Sequence, residues 1–470
     1  VQNIEAYLGQ IRRHNTSGAK LNLIVSLRDR EELLDEARAP PEFGLPTTPK
    51  HNAAAIDAVR EDSYVRNCCA LPIQLISAGM ILMGKSNLSA TASFFQRSLS
   101  GEMITNKIPE ATLGGPLLAG KVNHRTFPAG LKKARRSAAR SYCSSTGSAH
   151  GAAAGFIPIA IGTETCGSLI TPAGRARVYT LKITPGAANT DGICKITIAW
   201  DTIGAFAKTI HEVAVVTGLL LQKDKTATVD STLTNYLRKD FTGLRIDFVG
   251  PDLWAIEDDT KEADPSFPGE IKAQFELAMK GIRDLGGQVV YPVEIPAYKT
   301  FFHRGEPLLG SITNAEVKIC LNEYFQSLEN STVKTLDEVI AFNKQNPDME
   351  LPPGNTGQED LIAAAESTVK PDDLPSLRDL FYSKAGKDGA EKTIRQHNLD
   401  VVVAPVDSPA QSVSTGSMTP AATVPLGYAK INGHPFGAQL LGLPNTEPKL
   451  IEVMSAWEAI FPSRGTPDLS

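Results

Sequence analysis

Four short segments concentrate hydroxyl groups, glycines and lysine: Gly84-Lys85-Ser86-Asn87-Leu88, Ser144-Ser145-Thr146-Gly147-Ser148-Ala149, Gly162-Thr163-Glu164-Thr165-Cys166-Gly167-Ser168 and Thr180-Leu181-Lys182-Ile183-Thr184-Pro185-Gly186. The chemistry these groups could support is acyl transfer through an alcohol. A serine hydroxyl is a weak nucleophile until a base removes its proton. An ordinary lysine, with a pKa of about 10.4, is charged at neutral pH and cannot take that proton. Burial disfavours the ammonium and can lower its pKa by several units. Lys85 follows the apolar run Leu75–Met83, which predicts a backbone emerging from a buried strand. Taken singly, each segment has a plainer reading, because short motifs match by chance: a strand-end surface lysine, a serine-rich turn, a phosphate-type loop.

The elements that must position these groups can be read from periodicity. Ser168 lies 24 residues after Ser144. The interval holds a small-residue helix at Ala149–Gly155, a short buried strand at Phe156–Ile161 and a Gly/Thr-rich return loop, a path that brings both serines to one end of a sheet. Tyr179–Ile183 alternates like a further strand. Ile271, Phe275, Ala278, Ile282 and Leu285 mark one face of a helix that Gly286–Gly287 ends before a strand at Gln288–Tyr291. Leu399–Ala404 is strand-like, and Ile4–Arg13 favours an amphipathic helix. Asn346–Asp373, rich in Pro, Gly, Asp and Glu, reads as a surface excursion over the active site. Helix–strand alternation predicts α/β architecture, with a mixed, mostly parallel twisted central sheet between helical layers. No composition shift marks a domain border, so residues 1–470 read as a single unit.

The ordered set of blocks resembles the amidase-signature family, whose usual pattern runs G-K-[ST]-N, G-S-S-[GS]-G-S, G-T-[DE]-x-x-G-S and L-K-P-T. The variant Gly162–Pro172 is most similar to the fungal and bacterial peptide-amidase-like branch. The likeness continues through Asp201–Thr209, Ala422–Tyr428, Gly433–Gly437 and Ser455–Glu458. It is carried by a core at 71–230 and 395–465, and only loosely by 231–395, the variable substrate-side region. Carried over position by position, the resemblance makes Ser168 the nucleophile, Ser144 a proton relay held by a cis peptide bond, and Lys85 the base. Backbone N–H groups of Thr165, Cys166, Gly167 and Ser168 become the oxyanion hole, where each donor is typically worth about 3–4 kcal/mol. Cys166 stands where the family often has Gly or Asp. With nothing basic beside it in sequence, it reads as a lining residue rather than a reactive thiol. The pattern also departs from the family. The G-I-P-[IV]-x-[VL]-K-D strand is missing, and Leu45–Thr48 is a remnant of the segment that comes after that strand. Tyr142-Cys143 replace glycines before Ser144, Ile183 replaces proline after Lys182, and Trp200 and Ala205 replace more usual residues.

The bulk properties narrow the partners. Net charge is -5 and the pI about 6.0, so no field favours nucleic acid or an anionic membrane. The basic run Lys132–Arg136 reads as a solvated face. Six cysteines without a C-x-x-C pair point to buried thiols in a reducing, cytoplasmic compartment. There is no signal-like leader, although the chain also lacks an initiator Met. No apolar run of about 18 residues would span a membrane. His150, His211, His303 and His434 are not spaced as metal ligands, and no dinucleotide or Walker pattern occurs; no metal and no cofactor is implied. The expected partner is a small-molecule amide substrate, and a homodimer is left open. Three alternatives stand beside amide hydrolysis. One is a family member acting on esters, carbamates or urea derivatives, or an acyl transferase. Another is the ammonia-producing subunit of a tRNA amidotransferase, which the acidic balance argues against. The third is a catalytically impaired amidase-fold binding protein.

Overall fold

The computed structural model describes residues 2–38, 46–48, 64–65, 70–86, 144–222, 232–253, 267–329, 331–347, 358–430, 433 and 435–461. Lys132–Arg136, Cys68, Cys69, Cys143 and His434 lie outside the described residues.

The molecule is organised by a ten-stranded sheet. Its strands are β1 (Pro46–Thr48), β2 (Ile81–Leu82), β3 (Ile159–Glu164), β4 (Tyr179–Lys182), β5 (Thr202–Ala207), β6 (Arg245–Val249), β7 (Gln288–Val293), β8 (Val401–Pro405), β9 (Ala421–Tyr428) and β10 (Pro435–Leu441). The order across the sheet is β7-β6-β8-β10-β9-β4-β5-β3-β1-β2. Four neighbouring pairs are parallel and five antiparallel. The mixed α/β sheet is as expected, but its parallel pairings are confined to the two flanks. Between β8 and β3 every pair is antiparallel, so "mostly parallel" describes the flanks alone. Alternation of helices and strands along the chain does not by itself specify which strands become neighbours.

Strand residues bury both faces. In β3, Ile159 and Ile161 pack into one core while Ala160 packs into the other; in β5, Ile203, Ala205 and Ala207 oppose Phe206 in the same way. One face is covered by α1 (Gln2–His14), α2 (Thr146–Ala153) and α3 (Ile170–Ala176), through Ile4, Leu8, Ile11, Ala149, Ala152 and Ala173. The other is covered by α4 (Ile210–Leu220) and α5 (Phe267–Asp284). In α5 Ile271, Phe275, Ala278 and Ile282 of the predicted stripe are buried, with Met279 beside them, while Leu285 lies just past the helix end and is half-buried. Gly286 at φ +86° ends the chain reversal after the helix. A third, smaller core lies under α6 (Leu308–Ser327).

Three local expectations are corrected. Leu75–Met83 is not one strand: Ala70–Ser77 is helical, and a turn with Gly79 at φ +79° separates it from β2. The strand expected at Phe156–Ile161 begins at Ile159, just after Pro158, which has no N–H for the ladder. The segment 346–373 is not simply a surface excursion. Its Glu359–Ala365 helix buries Leu361 and Ala364 in the third core.

Asp247 is a costly residue in this scaffold. It is buried in the middle of β6, and Oδ1 accepts the Phe248 N–H at 2.7 Å. Among the described residues Oδ2 has no hydrogen-bond partner. Burial pushes the carboxyl up to about 7, against the Phe248 hydrogen bond and the Arg245 charge. A raised acid pKa means the folded state holds its proton more tightly than the unfolded chain. The contribution of Asp247 to stability should therefore fall as pH rises from about 4 to about 7 and level off above. Asp247→Asn is expected to flatten that decline and to raise stability above pH 7 by about 1–3 kcal/mol, each pKa unit being worth about 1.4 kcal/mol. Urea melts of both proteins at acid and alkaline pH check this; parallel profiles would refute it.

Candidate active site

Ser168 sits on the turn that joins β3 to α3. Gly167, at φ +80°, makes the reversal without the Cβ clash of other residues. Ser168 itself is 5% exposed. The stretch before α2 closes onto this turn. The Ser145 N–H donates to the Ser168 carbonyl and the Ser144 N–H to Ser168 Oγ, both at 3.3 Å. The two serines expected to meet therefore do so, through the main chain of one and the hydroxyl of the other.

Other hydroxyls hold α2 in place. Ser145 Oγ donates to the Thr163 carbonyl at 3.0 Å and accepts the Thr163 N–H at 3.2 Å, so it acts as an added rung on the edge of β3. Ser148 Oγ donates to the Ile161 carbonyl at 2.8 Å and meets Ser86 Oγ at 2.6 Å. Gly162 is required beneath them, because a Cβ there would lie 2.7 Å from Ser145 Oγ and 2.6 Å from the Phe206 ring. These supporting serines belong to the blocks read in the sequence, but nothing in residue type distinguished the ones that brace from the ones that react.

Lys85 follows a buried approach, Ile81–Gly84, in the short strand Gly84–Ser86, which pairs antiparallel with Ile24–Leu27. Successive strand residues point to opposite faces. Ser86 is buried against Ser148, while the Lys85 side chain is exposed. The water-poor setting expected for this lysine is thus not seen. Among the described residues no hydrogen bond or ion pair reaches it. The Cys143–Ser144 peptide bond, in which Cys143 takes part, lies outside the described residues.

The turn is clamped from two sides by carboxylates. Glu164 Oε2 accepts the N–H groups of Leu169 at 2.6 Å and Ile170 at 3.0 Å. Asp201 Oδ1 accepts Thr165 Oγ1 at 2.5 Å and Thr197 Oγ1 at 2.9 Å, and Oδ2 accepts the Ile196 N–H. Burial raises the Asp201 pKa, partly offset by the Ile196, Thr165 and Thr197 hydrogen bonds. A third buried acid, Glu316 of α6, accepts the Ile198 N–H at 2.7 Å. The Thr165 carbonyl in turn accepts Thr415 Oγ1, from α7 (Ala410–Gly416), at 3.2 Å. Thr165, Cys166 and Gly167, the expected oxyanion donors, are thereby fixed at both ends of their turn.

Lys182, quoted in the sequence only as part of a block, is fully buried at the end of β4. Its Nζ lies 3.9 Å from Glu164 Oε1 and 3.3 Å from the Ser414 carbonyl. Burial lowers its pKa, against the pull of Glu164 and Cys166. Ile183, standing in place of proline, supplies an N–H to the Ile203 carbonyl at 3.2 Å that proline could not.

The family model for amidases matches residues 136–406, more than half of the chain. The chain belongs to the amidase family. As an amidase it is a hydrolase acting on carbon–nitrogen bonds in amides. It is 26% identical over 444 residues to a probable amidase of Arabidopsis thaliana, covering 92% of this chain and 80% of that one. Among solved structures it is similar to an amidase family protein from Bacillus anthracis, with a TM-score of 0.81 and 23% identity over 99% of this chain and 88% of the other. Native peptide amidase from Stenotrophomonas maltophilia gives 0.78 and 24%, over 100% and 95%. Those two likenesses establish the amidase-signature fold.

Within this amidase, Cys166 lies half-buried on the turn between β3 and α3. Burial pushes its thiol up to about 11, outweighing hydrogen bonds from Thr415 and Ser412 and the Lys182 charge. Iodoacetamide followed by peptide mass spectrometry should leave Cys166 largely unmodified at neutral pH, with alkylation accelerating only toward strongly alkaline pH. Rapid neutral-pH alkylation would show a thiolate and contradict this assignment.

Proposed function

We propose that this amidase hydrolyses the C–N bond of a small carboxamide through an acyl-enzyme on Ser168, with Ser144 as proton relay and Lys85 as final base. The observation that carries the reading is the Ser144 N–H directed at Ser168 Oγ at 3.3 Å, on a turn whose following residues are held by Glu164. Ser168 Oγ gives its proton to Ser144 Oγ, which passes one to Lys85, as the oxygen attacks the amide carbon. The carbonyl oxygen gains negative charge beside the N–H groups of Thr165, Cys166, Gly167 and Ser168. Because those donors are fixed before the reaction, they cost no reorganisation when charge develops. The proton returns along the same path to the departing nitrogen, since an amide anion is too basic to leave. Water then cleaves the ester by the same relay. Each of these steps uses only the chain's own groups and water. We read residues 1–470 as one unit, because one sheet interleaves strands from Pro46 to Leu441.

The exposed Lys85 side chain favours a second reading, in which the fold binds an amide-bearing ligand with little turnover. A fluorophosphonate probe separates the two. Wild type is expected to be phosphonylated at Ser168, with labelling abolished by Ser168→Ala. Lys85→Ala and Ser144→Ala should slow labelling by about 10²–10⁴-fold, the range for loss of general base catalysis. Labelling that survives Ser168→Ala discards the nucleophile. An unlabelled wild type that also leaves a panel of primary amides and anilides intact supports the binding reading.

A further inference from the structure

We propose that Glu164, balanced by Lys182, is a positioning residue that sets the direction of the main-chain donors in the turn 165–168. The inference rests on the reading of Ser168 as nucleophile. Both side chains are fully buried, and they reach each other across an intervening strand. Lys182 is paired with Gly204, and Gly204 with Gly162; Glu164 lies two residues beyond Gly162 on the same face of the sheet. The row Lys182–Gly204–Gly162 therefore carries only one side chain. Its two glycines leave the space in which Leu169 packs, because a Cβ on either would lie 2.8 Å from a Leu169 methyl.

The pair is poorly explained as a source of stability. At 3.9 Å the Lys182–Glu164 contact is too long for a hydrogen bond. Glu164 Oε1 has no hydrogen-bond partner among the described residues. Two buried charges in such geometry seldom repay their desolvation, and similarly shaped apolar groups are often as stable. What the arrangement does supply is direction. Lys182 Nζ is tethered to the Ser414 carbonyl and, at 3.4 Å, to Ser414 Oγ. It holds one carboxylate oxygen on its side of the pair. The other oxygen is thereby presented to the Leu169 and Ile170 N–H groups, the two that follow the nucleophile directly. With those fixed, the preceding peptides of Thr165–Ser168 have little freedom to rotate away from a developing oxyanion.

The test uses full-length protein and the inactivation kinetics of a fluorophosphonate probe, which give a rate constant (kinact) and a binding constant (KI) without knowledge of the substrate. Glu164→Asp keeps the charge opposite Lys182 but is too short to reach both N–H groups. It is expected to lower kinact about 10–100-fold with KI little changed, as expected when reacting groups are misplaced by about 1 Å. Lys182→Met leaves the Glu164 carboxylate without the cation that holds Oε1 on its side, and it is likewise expected to lower kinact about 10–100-fold with KI little changed. Glu164→Gln alone sets an amide N–H against the Lys182 ammonium and should also slow the reaction. The double variant Glu164→Gln/Lys182→Met removes that conflict and should recover at least about tenfold over the slower single variant, the non-additivity expected of direct neighbours. Wild-type kinact in folded Glu164→Asp and Lys182→Met would overturn the proposal, as would a double variant no faster than the singles. Should Glu164→Gln and Lys182→Met fail to fold, Glu164→Asp decides: a kinact about 10–100-fold lower with KI unchanged supports the proposal, and wild-type kinact in the folded protein overturns it. Ser168→Ala run in parallel keeps the two readings apart, since labelling that persists there refutes the nucleophile whatever the pair does.

Discussion

Everything at the candidate site depends on one main-chain closure: the segment entering α2 pairs with the turn leaving β3. The Ser145 N–H takes the Ser168 carbonyl, the Ser144 N–H takes Ser168 Oγ, and Ser145 Oγ extends the edge of β3 at Thr163. A turn that presents a hydroxyl and several N–H groups to a ligand must leave those donors without internal partners. Such a turn holds its shape only if the remaining polar groups around it are satisfied rigidly. Gly162 and Gly167 meet that demand sterically, one by allowing close approach and the other by adopting φ +80°.

The same constraint explains the buried acids. Glu164, Asp201, Glu316 and Glu447 are carried on well-packed elements or at their ends, and each accepts a backbone N–H from a loop or a helix start: Leu169 and Ile170, Ile196, Ile198, and Thr184. Loop backbone buried away from water cannot leave its N–H groups unpaired, and a carboxylate offers more acceptor capacity than any neutral side chain. The arrangement links regions far apart in sequence. Glu316 of α6, from the part of the chain where the motif likeness is loose, braces the 196–198 loop whose neighbour Asp201 holds Thr165. Helix α6 is thus joined to the turn 165–168 through the hydrogen-bonded loop 196–201.

Much of this architecture was legible locally. The stripe of α5, the strands at Tyr179–Lys182 and Val401–Pro405, and the return path from Ser144 to Ser168 follow from periodicity and from glycine placement. Legibility failed where two structures share a composition. The apolar run at Leu75–Met83 contains both a helix and a strand, because hydrophobicity without a clear period does not separate them, and only the φ of Gly79 marks the junction. The helix Glu359–Ala365 was hidden in a polar stretch because its stabilisation comes from Leu361 and Ala364 meeting a separate core.

By itself, the sequence determined the chemical inventory: which hydroxyls and lysines occur, in which order, and on which local turns and helices, since these depend on near-neighbour sterics and spacing. It was enough to indicate an amidase. Only the tertiary structure decided how those groups are used. It set the antiparallel centre of the sheet, placed Lys182 beside Glu164 across two glycines, and left Lys85 on the exposed face of its strand. Those outcomes turn on which strands become neighbours, on burial and on long-range hydrogen bonding, and each joins residues too far apart in the chain for any local pattern to record.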